Sequence, residues 1–186
     1  MNGNDVVFRV IDALEHANVP YMLVGSYSSN AYGIPRSTQD ADFVIELGNT
    51  PFNVIAEPLL PEITIDPQLL LETVTGTYRW IGRHLGSEFT VELFQLGHDA
   101  FMQQRFARRR REDVLGHLVW LPTAEDVVIQ KLRWYGRAKR SKDLDDARDV
   151  VAVQSGRLDL PYIRNWCDQH GTRALLEQLL IETASI

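Results

Sequence analysis

The chain has a single cysteine, Cys167, among its 186 residues. An internal disulfide is therefore excluded, and so is a cysteine-rich metal centre. Set between Trp166 and Asp168, Cys167 reads as a small buried hydrophobe on a helix. No stretch approaches eighteen consecutive apolar residues. The first residues, Met-Asn-Gly-Asn-Asp5, lack the basic-then-apolar order of an export leader. The expectation is a cytoplasmic protein with no membrane partner. Basic residues are outnumbered, 19 against 25 acidic, and the resulting net charge of −6 argues against a general nucleic-acid coat. His84, His98, His117 and His170 show no metal-ligand spacing, and no repeat or low-complexity tract appears. A content of 45% hydrophobic and 24% charged residues is ordinary for a globular chain. This length suits one large domain or two small interlocked ones.

One pattern breaks this plain background. The apolar run Tyr21-Met-Leu-Val24 ends in Gly25-Ser26, and after thirteen intervening residues Asp40-Ala-Asp42 opens a second apolar run, Phe43-Val-Ile45. In an extended strand, residues two apart share a face. Asp40 and Asp42 then project side by side with Val44, while Ala41, Phe43 and Ile45 take the opposite face. Two carboxylates so close repel each other unless a cation lies between them. A hard divalent ion such as Mg²⁺, shared with substrate phosphates, resolves that conflict. Gly-Ser at a strand end allows close backbone approach and offers free N–H groups, which suits a triphosphate.

Periodicity supplies the surrounding elements. Asp5–Ala17 carries Val6, Val7, Val10, Ile11 and Leu14 at helical spacing, with Asn4 or Asp5 as its cap. Residues 21–24 form a buried strand, 26–32 a short helix, and Gly33-Ile-Pro-Arg36 a loop. Asp40–Leu47 is a second strand, and Pro51–Leu60 a helix closed by Pro61. Tyr78–Leu85 and Glu88–Leu96 form a hairpin through Gly86-Ser87. His98–Arg109 reads as helix and Leu118–Leu121 as a last strand. From Pro122 onward the pattern is helical: Thr123 caps a helix with Glu125 and Asp126 in its first turn, and 143–153, 160–170 and 172–183 follow. The fold class is α+β, a mixed sheet with flanking helices over 1–121 and a helical region over 122–186.

A third carboxylate, Glu92, lies in Phe89-Thr-Val-Glu-Leu-Phe-Gln-Leu96 and shares a face with Thr90 and Phe94. A carboxylate among so many apolar residues is costly unless paired or metal-bound. Both a salt-bridged strand glutamate and a metal ligand remain open.

The Gly-Ser, the gap and the Asp-x-Asp with apolar flanks at Val24, Ala41 and Phe43 together resemble the signature of the polymerase-beta-like nucleotidyltransferase superfamily. That superfamily includes DNA polymerase beta, the aminoglycoside nucleotidyltransferases and the minimal nucleotidyltransferases. The resemblance implies a metal-dependent transfer of a nucleoside monophosphate from an NTP such as ATP to an acceptor hydroxyl. It implies Asp40, Asp42 and Glu92 as ligands of two Mg²⁺ ions, with Glu92 also the base for the attacking hydroxyl. Gly25, Ser26, Arg36 and Thr38 would then hold phosphates.

In the second half, Pro122-Thr-Ala-Glu-Asp-Val-Val-Ile-Gln-Lys131-Leu-Arg, Arg137 and Lys142-Asp143-Leu-Asp-Asp146 are similar to the C-terminal motif of AbiE-type toxin nucleotidyltransferases. By that likeness Lys131 contacts the triphosphate, and Asp143 or Asp146 organises the pocket. Lys131 also reads as a helix lysine laid along apolar surface, and the aspartates as a first turn favoured by the helix dipole.

Two basic clusters, Arg105 with Arg108–Arg111 and Lys131–Lys142, hold eleven of the 19 basic residues. Each is either a solvated face or a grip for a phosphate-rich acceptor. Trp80, Trp120, Trp134 and Trp166 read as core anchors, with Trp134-Tyr135 beside Lys131 kept open for base stacking. The acceptor expected is tRNA, a small molecule or a protein, and a toxin–antitoxin setting implies a cognate antitoxin. The alternative is a non-catalytic, antitoxin-like nucleotide-binding partner of the same fold; a silent relative has no reason to keep three clustered acids.

Overall fold

A computed structural model of the protein describes residues 1–73 and 76–184. Its elements, in chain order, are α1 (Gly3–His16), β1 (Tyr21–Val24), α2 (Gly25–Tyr32), β2 (Asp40–Ile45), α3 (Asn53–Ala56) and a 3₁₀ turn over Glu57–Leu59. Four strands follow the turn or nearly so: β3 (Ile63–Ile65), β4 (Leu70–Glu72), β5 (Thr77–His84) and β6 (Thr90–Gln95). Then come α4 (Ala100–Ala107), β7 (Arg110–Val114), β8 (His117–Leu121), α5 (Ala124–Ala138), α6 (Ser141–Val153), α7 (Leu160–His170) and α8 (Arg173–Thr183). The chain divides into two compact units, 1–27 with 37–121, and 28–36 with 122–186.

The first unit is built on a mixed sheet of order β1-β2-β6-β5-β3, with β4 also paired to β5. Within it β2 lies between β1 and β6, antiparallel to the first and parallel to the second. One face of β2 buries Ala41, Phe43 and Ile45, none more than 1% exposed; burial of a side chain the size of Phe43 contributes ~2 kcal/mol. On the other face Met22, Val24 and Val44 pack with Phe106 of α4, and Phe94 and Leu96 close around them. That cluster covers only the C-terminal part of β2. Asp40 and Asp42, at the N-terminal part of the strand, stay half-buried.

Helix α1 starts at Asn2, whose side chain accepts from the Asp5 amide while Asp5 accepts from the Asn2 amide. The cap is thus Asn2 rather than Asn4 or Asp5, and Asp5 is its reciprocal partner. Tyr21 and Tyr27 tie the helix to the rest of the unit by donating to Glu15 and Asn4. The helix expected over 51–60 is shorter than the pattern suggests, a single α-turn continued by 3₁₀. Pro58 has no N–H to donate, so a regular α-helix cannot continue through it. Strands β3, β4 and β7 were not expected from the sequence. The first two are three residues each, and β7 contains four charges in Arg-Arg-Glu-Asp-Val, a composition that masks its pairing with β8.

In the second unit α5 is buried from Asp126 to Leu132. Its cap is Thr123, which accepts from the Asp126 amide. The Asp126 carboxylate is fully buried but accepts hydrogen bonds from Thr123 and, at 2.7 Å, from the Tyr162 hydroxyl. Residues 28–36 join this unit through three contacts. Tyr32 donates to the Pro122 carbonyl, Gln154 donates to the Tyr32 carbonyl, and Gly33 lies against α6. A Cβ at Gly33 would stand 3.1 Å from both the Ser29 carbonyl and the Val150 amide, a tight contact that glycine avoids. Among the described residues no helix is long and apolar enough to cross a membrane.

Candidate active site

The acids of the first unit are aligned by strand register. Asp42 pairs with Val24 on one side and with Glu92 on the other, and Asp40 pairs with Thr90. Directly opposed residues on neighbouring strands point the same way, about 4.8 Å apart. Asp40, Asp42 and Glu92 therefore occupy one face of the sheet. The Thr38 hydroxyl donates to an Asp40 carboxylate oxygen at 2.5 Å and orients it. Gly25 opens α2 at φ +62°, and a Cβ there would overlap Asp42 Oδ2 and lie 3.0 Å from its Cγ. The glycine thus permits both the left-handed turn out of β1 and the seat of the carboxylate. Ser26 follows, buried at the first turn of α2. The Tyr27 hydroxyl is pushed up to about 12, by burial first and by the charge of Asp40 second.

Glu92 has a partner that sequence reasoning missed. Arg79 on β5 places Nη1 2.9 Å from Glu92 Oε2. Burial holds the Glu92 carboxyl above its usual range; Arg79 opposes this, while Asp40 and Glu72 reinforce it. The signal lay in the hairpin: Ile81 opposes Glu92 and Arg79 opposes Phe94, so Arg79 is diagonal to Glu92 on the same face. That register was not readable from the loop alone.

As oxygen donors, Asp40, Asp42 and Glu92 suit a hard divalent cation. Among the described residues, however, no three acidic, histidine or cysteine side chains already converge on one point. Glu92 is paired with Arg79 instead. The oxygen chemistry of this donor set fits such an ion.

The second unit gathers Arg36, Lys131, Asp143 and Asp146. Arg36 grips Asp146 with two nitrogens, at 2.9 and 3.1 Å, and Asn30 holds the Arg36 backbone at both its N–H and its carbonyl. Lys131 Nζ lies 2.6 Å from Asp146 and 3.2 Å from Asp143, and Arg140 pairs with Asp143 at 2.9 Å. The result is a chain of alternating charge, Arg36–Asp146–Lys131–Asp143–Arg140. Its three inner side chains are no more than 5% exposed, whereas Arg36 and Arg140 are 37% and 43% exposed. Burial would raise the Asp146 carboxyl, but the hydrogen bonds from Arg36 and Lys131 outweigh it and hold the group below its ordinary value. Lys131 also stands 5.5 Å from the Trp134 ring, and Arg140 5.8 Å, so that ring is a platform for cations.

The Arg108–Arg111 run is partly committed to structure. Arg109 stacks on Phe106 at 4.1 Å and on Trp120 at 5.0 Å, and donates to the Phe106 carbonyl. Arg111 stands over Trp120 and pairs with Glu15.

No protein-family model matches the chain, and no curated protein matches it in sequence. Solved structures do match it in three dimensions. The antibiotic-resistance factor ANT(2'')-Ia aligns with a TM-score of 0.63 at 11% identity, over 94% of each chain. The same factor in complex with adenylyl-2''-tobramycin gives 0.62 at 9% identity, over 91% of this chain and 97% of that one. A protein of H. pylori described as a nucleotidyltransferase gives 0.58 at 15% identity, over 97% and 80%. Identities this low establish architecture alone: the chain has the mixed α+β fold of the nucleotidyltransferases.

Proposed function

We propose that the protein is a metal-dependent nucleotidyltransferase that moves a nucleoside monophosphate from an NTP to an acceptor hydroxyl. The observation that carries this reading is the in-register placement of Asp40, Asp42 and Glu92 on one sheet face, beside a glycine that no other residue could replace without displacing Asp42. Asp40 and Asp42 would hold Mg²⁺, and Glu92 would complete the set. The bound ions would supply charge neutralisation at the α-phosphate and at the departing pyrophosphate. The acceptor oxygen attacks the α-phosphorus, the bond to pyrophosphate breaks, and Glu92 takes the hydroxyl proton. Ser26 and the first amides of α2 bind the phosphates that leave, as a helix N-terminus favours anions. Thr38 keeps Asp40 oriented.

Arg36 keeps a part-exposed planar fork braced by Asp146, which suits a phosphate ligand. Lys131 is spent on two carboxylates, so a direct role for it at the triphosphate requires one of those pairs to open. Asp143 and Asp146 organise these cations.

For the acceptor, we favour a small polyhydroxylated molecule over tRNA. ANT(2'')-Ia, of similar length and fold, has been captured with an adenylylated aminoglycoside. An RNA grip at Arg108–Arg111 is weakened by the commitments of Arg109 and Arg111. The AbiE-like motif at 122–146 is what favours the second reading, a toxin acting on tRNA under the control of an antitoxin.

The test is incubation with Mg²⁺ and each of the four α-labelled NTPs, against an aminoglycoside panel, total RNA and cell protein in parallel. Label moving to one class identifies the acceptor; label moving to none, with no nucleotide bound, contradicts the reading.

A further inference from the structure

The acid face does not stop at Glu92. Across β6 and β5 it continues through Thr90, Glu92 and Phe94 to Arg83, Ile81 and Arg79, each opposed in register. Like charges on one face raise each other's energy unless a counter-ion is present. Arg79 is the cation that meets this set, at Glu92. Its guanidinium lies over the Phe94 ring at 5.6 Å and reaches Glu92 through Nη1, while its Nε is buried with no hydrogen-bond partner. A guanidinium fork can meet a carboxylate with two parallel bonds. Here the fork is not fully used. The Arg79 and Glu92 side chains are 26% and 22% exposed, so the pair is neither sealed in the core nor dispersed into water. Such a contact balances charge while remaining cheap to open.

We infer that Arg79 is a resident counter-ion of the acid face, a guanidinium that a divalent cation must displace from Glu92 before Asp40, Asp42 and Glu92 can share an ion. This rests on the reading of those three acids as metal ligands. Arg79 is therefore a positioning residue: it holds the third carboxylate aside in the metal-free protein and yields it when a cation brings its own positive charge. Removing Arg79 raises affinity for the cation, whereas removing a ligand lowers it.

The experiment titrates Mn²⁺ into the metal-free full chain without nucleotide and follows free Mn²⁺ by electron paramagnetic resonance. Wild type is compared with Arg79→Met, Arg79→Lys and Glu92→Gln, with folding checked by thermal melting in chelator. Arg79→Met keeps a flexible apolar stem over Phe94 and should bind Mn²⁺ about fivefold more tightly, the scale of a part-exposed ion pair. Its melting temperature should fall in chelator and rise further than that of the wild type on adding Mn²⁺. Arg79→Lys keeps the charge without the fork and should tighten binding less, and it decides the question if Arg79→Met fails to fold. Glu92→Gln should weaken binding. If Glu92→Gln weakens binding but the folded Arg79 variants do not tighten it, the counter-ion role is overturned and the ligand assignment survives. If Glu92→Gln binds Mn²⁺ as the wild type does, Glu92 is not a ligand and both fall together.

Discussion

Gly25 and Asp42 fit together so closely that the space a Cβ on Gly25 would need is filled by the Asp42 carboxylate. The two residues come from different elements, the first turn of α2 and the middle of β2, and the antiparallel pairing of Val24 with Asp42 brings them side by side. The helix start and the carboxylate are therefore set by one contact.

Gly25→Ala should cost stability twice, by placing a side chain at φ +62° and by pushing against Asp42. The expected loss is about 1–3 kcal/mol, seen as a lower melting temperature. In an Asp42→Ala background the same substitution should cost less, because the displaced carboxylate is gone. Equal costs in the two backgrounds would show that only backbone conformation matters there.

Asp146 gives a prediction with a definite pH dependence. Its carboxyl is held below the ordinary range in the folded protein, so the ionised form stabilises the fold above the unfolded value near 3.9 and that contribution fades as pH falls through the folded value. Asp146→Asn should lose about 2–4 kcal/mol at neutral pH, because Lys131 is left buried with one partner. Chemical denaturation across pH should show the gap to wild type closing below about pH 4. A gap that stays constant would mean that the charge of Asp146 contributes nothing.

Arg109 and Arg111 should behave as structural residues. Loss of their stacking on Phe106 and Trp120 should lower stability by about 1 kcal/mol for Arg109→Ala and less for Arg111→Ala, with nucleotide affinity unchanged. The double variant Arg108→Ala with Arg110→Ala tests the rest of the run. If tRNA is the acceptor, that double variant should show weaker RNA association with a shallower salt dependence; an unchanged titration removes tRNA from consideration.

The elements that carry the acids were legible because each has a strong local signature. Tyr21–Val24 and Asp40–Ile45 are apolar runs bounded by polar turns, and the hairpin at 77–95 turns at Gly86-Ser87. Thr123 announces α5, and the caps of α7 and α4, Asp159 and Asp99, are of the same residue class. What was not legible depends on distant partners. The short strands β3 and β4 exist only through pairing with β5, and no three-residue run specifies that. Residues 28–36 look like a helix and loop of the first unit, yet Gly33 packs on Val150 more than a hundred positions away. Lys131 reads as a surface helix lysine until α6 brings Asp143 and Asp146 to it. Arg79 carries no motif, and only strand register reveals that it meets Glu92.

On the proposed reading, Asp40 and Asp42 support transfer of a nucleoside monophosphate. Its most direct test is transfer of label from an α-labelled NTP by wild type, Asp40→Asn and Asp42→Asn, in Mg²⁺ and in chelator, with each variant shown to be folded. Labelled product is expected from the wild type in Mg²⁺ only, with background from both variants and melting temperatures in chelator that hold or rise as repulsion is relieved. Transfer at the wild-type rate by folded Asp40→Asn and Asp42→Asn would contradict it.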